Sequence, residues 1–364
     1  MWFLAISFLL LAVACSSSDE SGEQQPTTLT VYVYSPEHPM LIRSDVGNVN
    51  ASFDETKITR LQIWVFTSGT HEKVAYLDTK ETSQLNVGEG AAYQLPVSDD
   101  FAQSKPDVDV YVLANIPTEG YAFDSKLDGN STRDAILNAT IPENYFGLAS
   151  PTTQVPDDGL PMAGALTSQP VIGEAPVLRV GTSSNIATVR LERAVSKVRF
   201  VFANTVGEPE LKIKNIQLNA QMIPNTEYLI QQTQTLAYNT SASSLWEATT
   251  PEDKVVKVAN PTIYIYGGQE AQVYENLIDQ SELTKIGPFY LRESDKKLKG
   301  MITYQIGESA DQTGTFEMDA AGDFRRNHTW IVYAYHAGGG FLQMEAIYVK
   351  EWTTKEKNHE VYNW

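Results

Sequence analysis

The stretch "NIATVRLERAVSKVRFVFAN", residues 185–204, reads as two strand-like halves on either side of Arg193. Alternation of apolar and polar residues over short runs is the mark of a half-buried β-strand. The same pattern recurs outward in both directions. "LTVYVY" (29–34) puts Leu29, Val31 and Val33 on one face, and "TRLQIWVF" (59–66) does so with Leu61, Ile63 and Val65. "ELKIKNIQLNAQM" (210–222) alternates almost without fault, while "VDVYVLANIP" (108–117) is more continuously apolar and reads as a central strand. "TIYIYGG" (262–268), "GMITYQIG" (300–307), "TWIVYAYH" (329–336) and "QMEAIYVKEW" (343–352) complete the set. The runs are short and separated by Gly, Pro, Asn and Asp, which favours antiparallel sandwiches over βαβ units.

Helical periodicity is scarce. "STRDAILNA" (131–139) predicts one or two turns with Ser131 as N-cap, and 150–170 reads as a loop crossing between sheets. The chain has 364 residues, enough for two domains of ~150 each. The boundary that best divides the strands lies near Glu192–Ala194. The formal net charge of −18 gives a surface that repels phosphate backbones, which argues against nucleic acid as a partner.

The one cysteine, Cys15, excludes an intramolecular disulfide. It closes "MWFLAISFLLLAVAC", whose apolar run is shorter than the ~20 residues that span a bilayer and suits the core of a secretory signal. Ala12 and Ala14 flank Val13 directly before Cys15, an arrangement that resembles a bacterial lipobox, whose thiol is acylated and becomes the new N-terminus. "SSSDESGEQQPTT" follows, without an apolar residue, and reads as a flexible tether.

Residues that would carry chemistry are sparse. None of the five histidines has zinc-ligand spacing with another, and no nucleophile elbow or phosphate-binding glycine loop occurs. "DVD" (107–109) reads as a strand edge, with a carboxylate pair as the sharper alternative. "GGG" (338–340) reads as a turn. No cofactor, metal or enzymatic activity is implied.

Several stretches resemble the fimbrillin family, the FimA-type subunits of type V pili of Bacteroidia. They are "VYVLANIP" (110–117), "LPMAG" (160–164), "RAVSKVRFVF" (193–202), "NPTIYIYGG" (260–268), "FRRNHTWIVYAY" (324–335) and "VKEWTTKEKNHEVYNW" (349–364). The resemblance implies an all-β fold of two transthyretin-like Greek-key β-sandwich domains in tandem, with few short helices. It implies a lipoprotein signal over 1–15, a tether and removable first strand over 16–43, an N-terminal domain over 44–192 and a C-terminal domain over 193–364. Lipidation would fall on Cys15, and a trypsin-like protease would cut between Arg43 and Ser44, removing the strand that carries Leu29, Val31 and Val33. A donor segment at about 341–364, with Ile347 and Val349 facing inward and Trp352, Tyr362 and Trp364 as large anchors, would fill the vacated slot of the next subunit. The alternative is that these residues close their own domain as a final strand. The implied partners are other pilin subunits in a head-to-tail polymer, anchor and tip subunits, the processing protease, and the outer membrane through the lipid before cleavage. The implied location is the outer membrane first and the surface fimbrium afterwards, with adhesion as the role. A stalk subunit is the favoured reading. The alternatives are an uncleaved anchor, a tip subunit, or a surface glycan-binding lipoprotein presenting Trp64, Trp246 or Trp330 to sugar rings.

Overall fold

The computed structural model describes residues 28–34, 55, 57–80, 90–104, 106–116, 127–141, 145–147, 152–166, 186–232, 237–250, 255–259, 264–265, 272–273, 281–318 and 324–351; at 90, 102–103, 186, 264–265, 272–273 and 345–351 it describes the backbone alone. The fold is all-β. The first group of strands comprises β1 (Thr28–Tyr34), β2 (Leu61–Thr67), β3 (Lys73–Thr79), β4 (Gly90–Pro96), β5 (Val108–Ala114), β6 (Thr140–Ile141), β7 (Met162–Leu166), β8 (Ile186–Arg190) and β9 (Glu192–Arg193). The second comprises β10 (Ser196–Asn204), β11 (Leu211–Leu218), β12 (Glu227–Tyr228), β13 (Ser243–Glu247), β14 (Tyr264–Ile265), β15 (Gln272–Val273), β16 (Thr284–Leu291), β17 (Lys299–Ile306), β18 (Gln312–Glu317), β19 (His328–His336) and β20 (Gln343–Glu351). Two short helices, α1 (Asp99–Ser104) and α2 (Arg133–Leu137), lie between strands of the first group.

The strands form two sandwiches. In the first, a three-stranded sheet ordered β4-β1-β8 faces a five-stranded sheet ordered β3-β2-β5-β7-β9. Leu29, Val31 and Val33 of β1 meet Leu61, Ile63, Val65, Val110 and Val112 in the core between them. In the second, β16-β10-β19-β20 faces β13-β11-β17-β18 across a core that includes Phe200, Ile213, Ile302 and Trp330. Each sandwich opens on a strand placed inside a sheet: β1 is antiparallel to β4 and parallel to β8, and β10 is antiparallel to β16 and parallel to β19.

A third apolar cluster lies on the outer side of the five-stranded sheet. Trp64, Phe66 and Tyr111 pack there with Ile136 of α2 and with Leu229, Ile230 and Tyr290 from the second half of the chain. This explains why Leu61–Phe66 are buried on both faces. The backbone crosses the same junction: β6 pairs with β12, and Thr152 bridges Tyr290.

Two readings of the sequence are corrected. Thr132 rather than Ser131 caps α2. Its hydroxyl accepts from the backbone N–H of Ala135 at 3.2 Å, whereas Ser131 Oγ accepts from the N–H of Asp128 in the preceding turn. The supposed crossing loop over 150–170 contains β7, which lies between β5 and β9 in the five-stranded sheet. Its Ala163-Gly164-Ala165 centre has low strand propensity, but small residues are needed there. A Cβ on Gly164 would stand 2.3 Å from the carbonyl oxygen of Arg190 and 2.7 Å from Val189 Cγ1, where the two sheets close on one another. Gly164→Ala is therefore expected to lower stability by about 2 kcal/mol, read from the midpoint of chemical unfolding.

Candidate functional site: the slot of the first strand and the waist below it

Strand β1 has two neighbours and no free edge. Its seven residues pair with β4 from Thr28↔Pro96 to Tyr34↔Gly90, and with β8 from Thr30↔Ile186 to Tyr34↔Arg190. Leu29, Val31 and Val33 are each 0% exposed, so their burial contributes roughly 5–9 kcal/mol before entropy is counted. Tyr32 and Tyr34 stack on the other face with ring centroids 6.2 Å apart. Taking β1 away would leave two rows of unpaired backbone groups facing one another and an uncovered apolar floor.

The direction of the strand matters. β1 runs towards the waist between the sandwiches, where the N–H of Leu191 donates to the carbonyl of Tyr34 at 2.9 Å. β10 leaves the waist and runs beside β19 in parallel, with Asn204 opposite His336, so β19 ends at the pole farthest from the waist. There the chain turns through Gly338, Gly339 and Gly340, whose φ values are +91°, +83° and +80°, a region that favours glycine. It then returns as β20, an edge strand paired antiparallel to β19.

The chain re-enters the described structure at the waist, at Glu55. Glu55 is buried and held by three groups, two on its side chain and one on its backbone carbonyl. Lys197 Nζ lies 3.0 and 2.8 Å from the two carboxylate oxygens, and the Tyr290 hydroxyl donates to Oε1 at 2.6 Å. Arg193 Nε donates to the Glu55 backbone carbonyl at 3.0 Å. Burial alone would raise this carboxyl, but the Lys197, Arg199 and Arg193 charges prevail and hold it at about 2. Lys197 and Tyr290 are direct cross-strand partners on β10 and β16, so the carboxylate docks on one rung of a sheet.

Polar contacts continue along the entering segment. Asn115, at φ +60°, accepts from the N–H of Thr59 at 2.8 Å and donates to the carbonyls of Lys57 and Leu160 at 2.7 and 2.8 Å. Arg60 grips Asp78 through two nitrogens and donates to the carbonyl of Ile116. On the far side of the waist, Arg326 holds Glu227 at 2.7 Å, Glu293 at 2.9 Å and the carbonyls of Tyr228 and Leu229. Burial pushes the Glu227 carboxyl up to about 8 against the pull of Arg326, and Glu293 adds to the rise. Asn327, at φ +57°, accepts from Arg193 Nη1 at 3.0 Å.

No family model matches this sequence, and no curated protein matches it. Among solved structures, the tip fimbrial protein Mfa3 from Porphyromonas gingivalis, truncated at its C-terminus, aligns with 89% of this chain and 100% of its own, at 13% identity and a TM-score of 0.48. A fimbrial assembly protein from Parabacteroides distasonis aligns with 88% of this chain and 99% of its own, at 12% identity and a TM-score of 0.47.

The singled-out residues fall in three places. Leu29, Val31 and Val33 sit together in the slot. Ile347 and Val349 lie on β20, opposite Ile331 and Thr329; their side chains fall outside the described residues. Cys15, Arg43, Ser44, Trp352, Tyr362 and Trp364 also lie outside the described residues. Of the carboxylates at 107–109, Asp109 is buried, accepts from Ser68 Oγ at 2.8 Å and faces Arg133 at 3.5 Å, which makes it a structural anchor. Trp64 and Trp330 are buried in the cores, so neither presents a ring to a sugar. Sequence reasoning missed Glu55, Lys197 and Tyr290 as a group. The one available signal was the "RAVSK" motif, whose Arg193 and Lys197 both reach Glu55.

Proposed function

We propose that this chain is a structural pilus subunit, a stalk pilin, that polymerises by exchanging its first strand. The observation that carries this reading is the interior position of β1. It is paired on both sides from Thr30 to Tyr34, yet it joins the body of the protein only through residues 35–54. Cys15 would carry the lipid during export to the outer membrane. A trypsin-like protease would then cut between Arg43 and Ser44, and the loss of β1 would open a slot in the domain formed by 44–192. A strand from another copy restores the ladder bonds and refills the places of Leu29, Val31 and Val33.

Polarity supports the segment 341–364 of the C-terminal domain, 193–364, as the donor. A chain leaving the far pole at Gly338–Gly340 and entering a neighbour at the Thr28 end would run in the same direction as β1, parallel to β8 and antiparallel to β4. Ile347 and Val349 would be its inward residues, and Trp352, Tyr362 and Trp364 its large anchors. The contact is head-to-tail and builds an open filament on the cell surface, where it would support adhesion. The pairing of β20 with β19 in cis also suits a tip subunit, which receives a donor and has no need to give one.

The test is the N-terminus and intact mass of the protein recovered from the cell surface, with electrophoresis in detergent without heating. A stalk subunit is expected to begin at Ser44, to carry no acyl chain and to run as a ladder. Fibre material that retains its acyl chains and residues ahead of Ser44 overturns the proposal. A lipidated monomer that never forms ladders assigns the chain to the anchor or glycan-binding alternatives.

A further inference from the structure

We infer that Glu55 and the residues after it form a clamp that confines the loss of β1 to the slot, so that the cut chain stays pinned at the waist and β2 does not fray. This rests on the reading that β1 leaves. Removing β1 takes the cover from Leu61, Ile63 and Val65 on the inner face of β2, the strand that the entering chain leads into. Without an anchor upstream, a new N-terminus only a short leash away could peel β2 from β5.

The contacts oppose this. Glu55 is fastened to the second sandwich, which the cut does not touch, through Lys197 and Tyr290, and to Arg193 of β9 through its backbone carbonyl. Lys57 Nζ donates to the carbonyl of Asp157 at 2.6 Å, and Thr59 Oγ1 to that of Asp158 at 2.8 Å. Thr59 N–H and the Arg60 guanidinium engage Asn115 and Asp78, beside and on strands β5 and β3, whose ladder bonds do not involve β1. Tyr290, the residue that donates to the carboxylate, also donates its own backbone N–H to Thr152 of the first half at 2.8 Å. The clamp therefore joins the cut chain to the same rung that joins the two sandwiches.

The experiment uses the full soluble chain from residue 16 with a recognition site for a sequence-specific protease placed within 35–42, so that cutting does not depend on Arg43. After the cut, the freed piece is washed away in dilute urea, and amide hydrogen exchange of Ile58–Thr67 is compared before and after. In the wild type the rate is expected to change by no more than about threefold. Tyr290→Phe removes one hydrogen bond to a charged group and keeps the ion pair; it is expected to raise the cut-to-uncut ratio about tenfold or more. Glu55→Gln removes the charge and is expected to raise it about a hundredfold or more, and Tyr290→Phe keeps the test alive if that variant does not fold. The inference is overturned if the wild type already loses protection on cutting, or if both variants match it. Native material that proves uncut at Arg43 would sink the pilin reading and leave this result standing.

Discussion

Val31→Asp is expected to abolish folding of the first sandwich. Val31 is the middle inward residue of β1, 0% exposed, with β4 and β8 on either side and the five-stranded sheet above it. A carboxylate there has no cation within the core cluster and no route to water. The charge must be buried or β1 must leave its place, and either outcome costs ~5 kcal/mol or more. Folded domains have only about 5–15 kcal/mol to lose, so soluble expression and the cooperative unfolding transition should both collapse. Tyr34→Ser, at the 39% exposed end of the same strand, should stay within about 1 kcal/mol of wild type and serves as the control. A peptide copy of residues 26–36 added during refolding should rescue a chain that lacks β1. A Val31→Asp protein that unfolds at the wild-type midpoint would show that the slot holds nothing essential.

The second large effect is expected at Glu55. Glu55→Gln leaves the Lys197 ammonium buried without its counter-charge, a change that costs about 3–5 kcal/mol. Replacing both residues together, as Glu55→Leu with Lys197→Met, should recover most of that loss, because an apolar pair needs no charge compensation. Acid should act on the same contact. The Glu55 carboxyl stays ionised in the folded protein down to about 2, while the unfolded chain takes up its proton near the ordinary value of 4.5. The unfolded state therefore gains protons first, and the stabilisation present above pH 4.5 is lost as the pH falls through about 2. That loss is on the order of 3 kcal/mol. It is read as the difference between wild type and Glu55→Gln in chemical unfolding across this window. Parallel curves would refute the assignment.

What the sequence made legible follows from range. "LTVYVY" and "ELKIKNIQL" alternate because each strand has one face on a core and one on solvent, a property stated by neighbouring residues alone. The burial pattern of Leu211–Leu218 follows that alternation closely. β7 escaped because its identity as a strand comes from the close approach of Gly164 to Arg190 in the opposite sheet, which no local propensity encodes. The waist escaped for the same reason. Glu55 and Lys197 lie 142 residues apart, and neither looks unlike a surface charge until the fold joins them. The "RAVSK" and "RNH" motifs were visible as strings, but their reason was not. Arg193, Lys197, Arg326 and Asn327 stand where two sandwiches must bury charge together.

The described chain ends its first strand at Tyr34 and resumes at Glu55, so on the strand-exchange reading cutting between them and loss of β1 are two separate events. Scission of that connection leaves the ladder bonds of Thr28–Tyr34 to β4 and β8 intact, so a nicked molecule keeps its strand zipped between them. Such a molecule is loaded but quiescent. If the chain assembles by strand exchange as proposed, the pace of assembly would be governed by how quickly an incoming segment displaces the resident one rung by rung, and a protease acting early would stockpile monomers without triggering their growth.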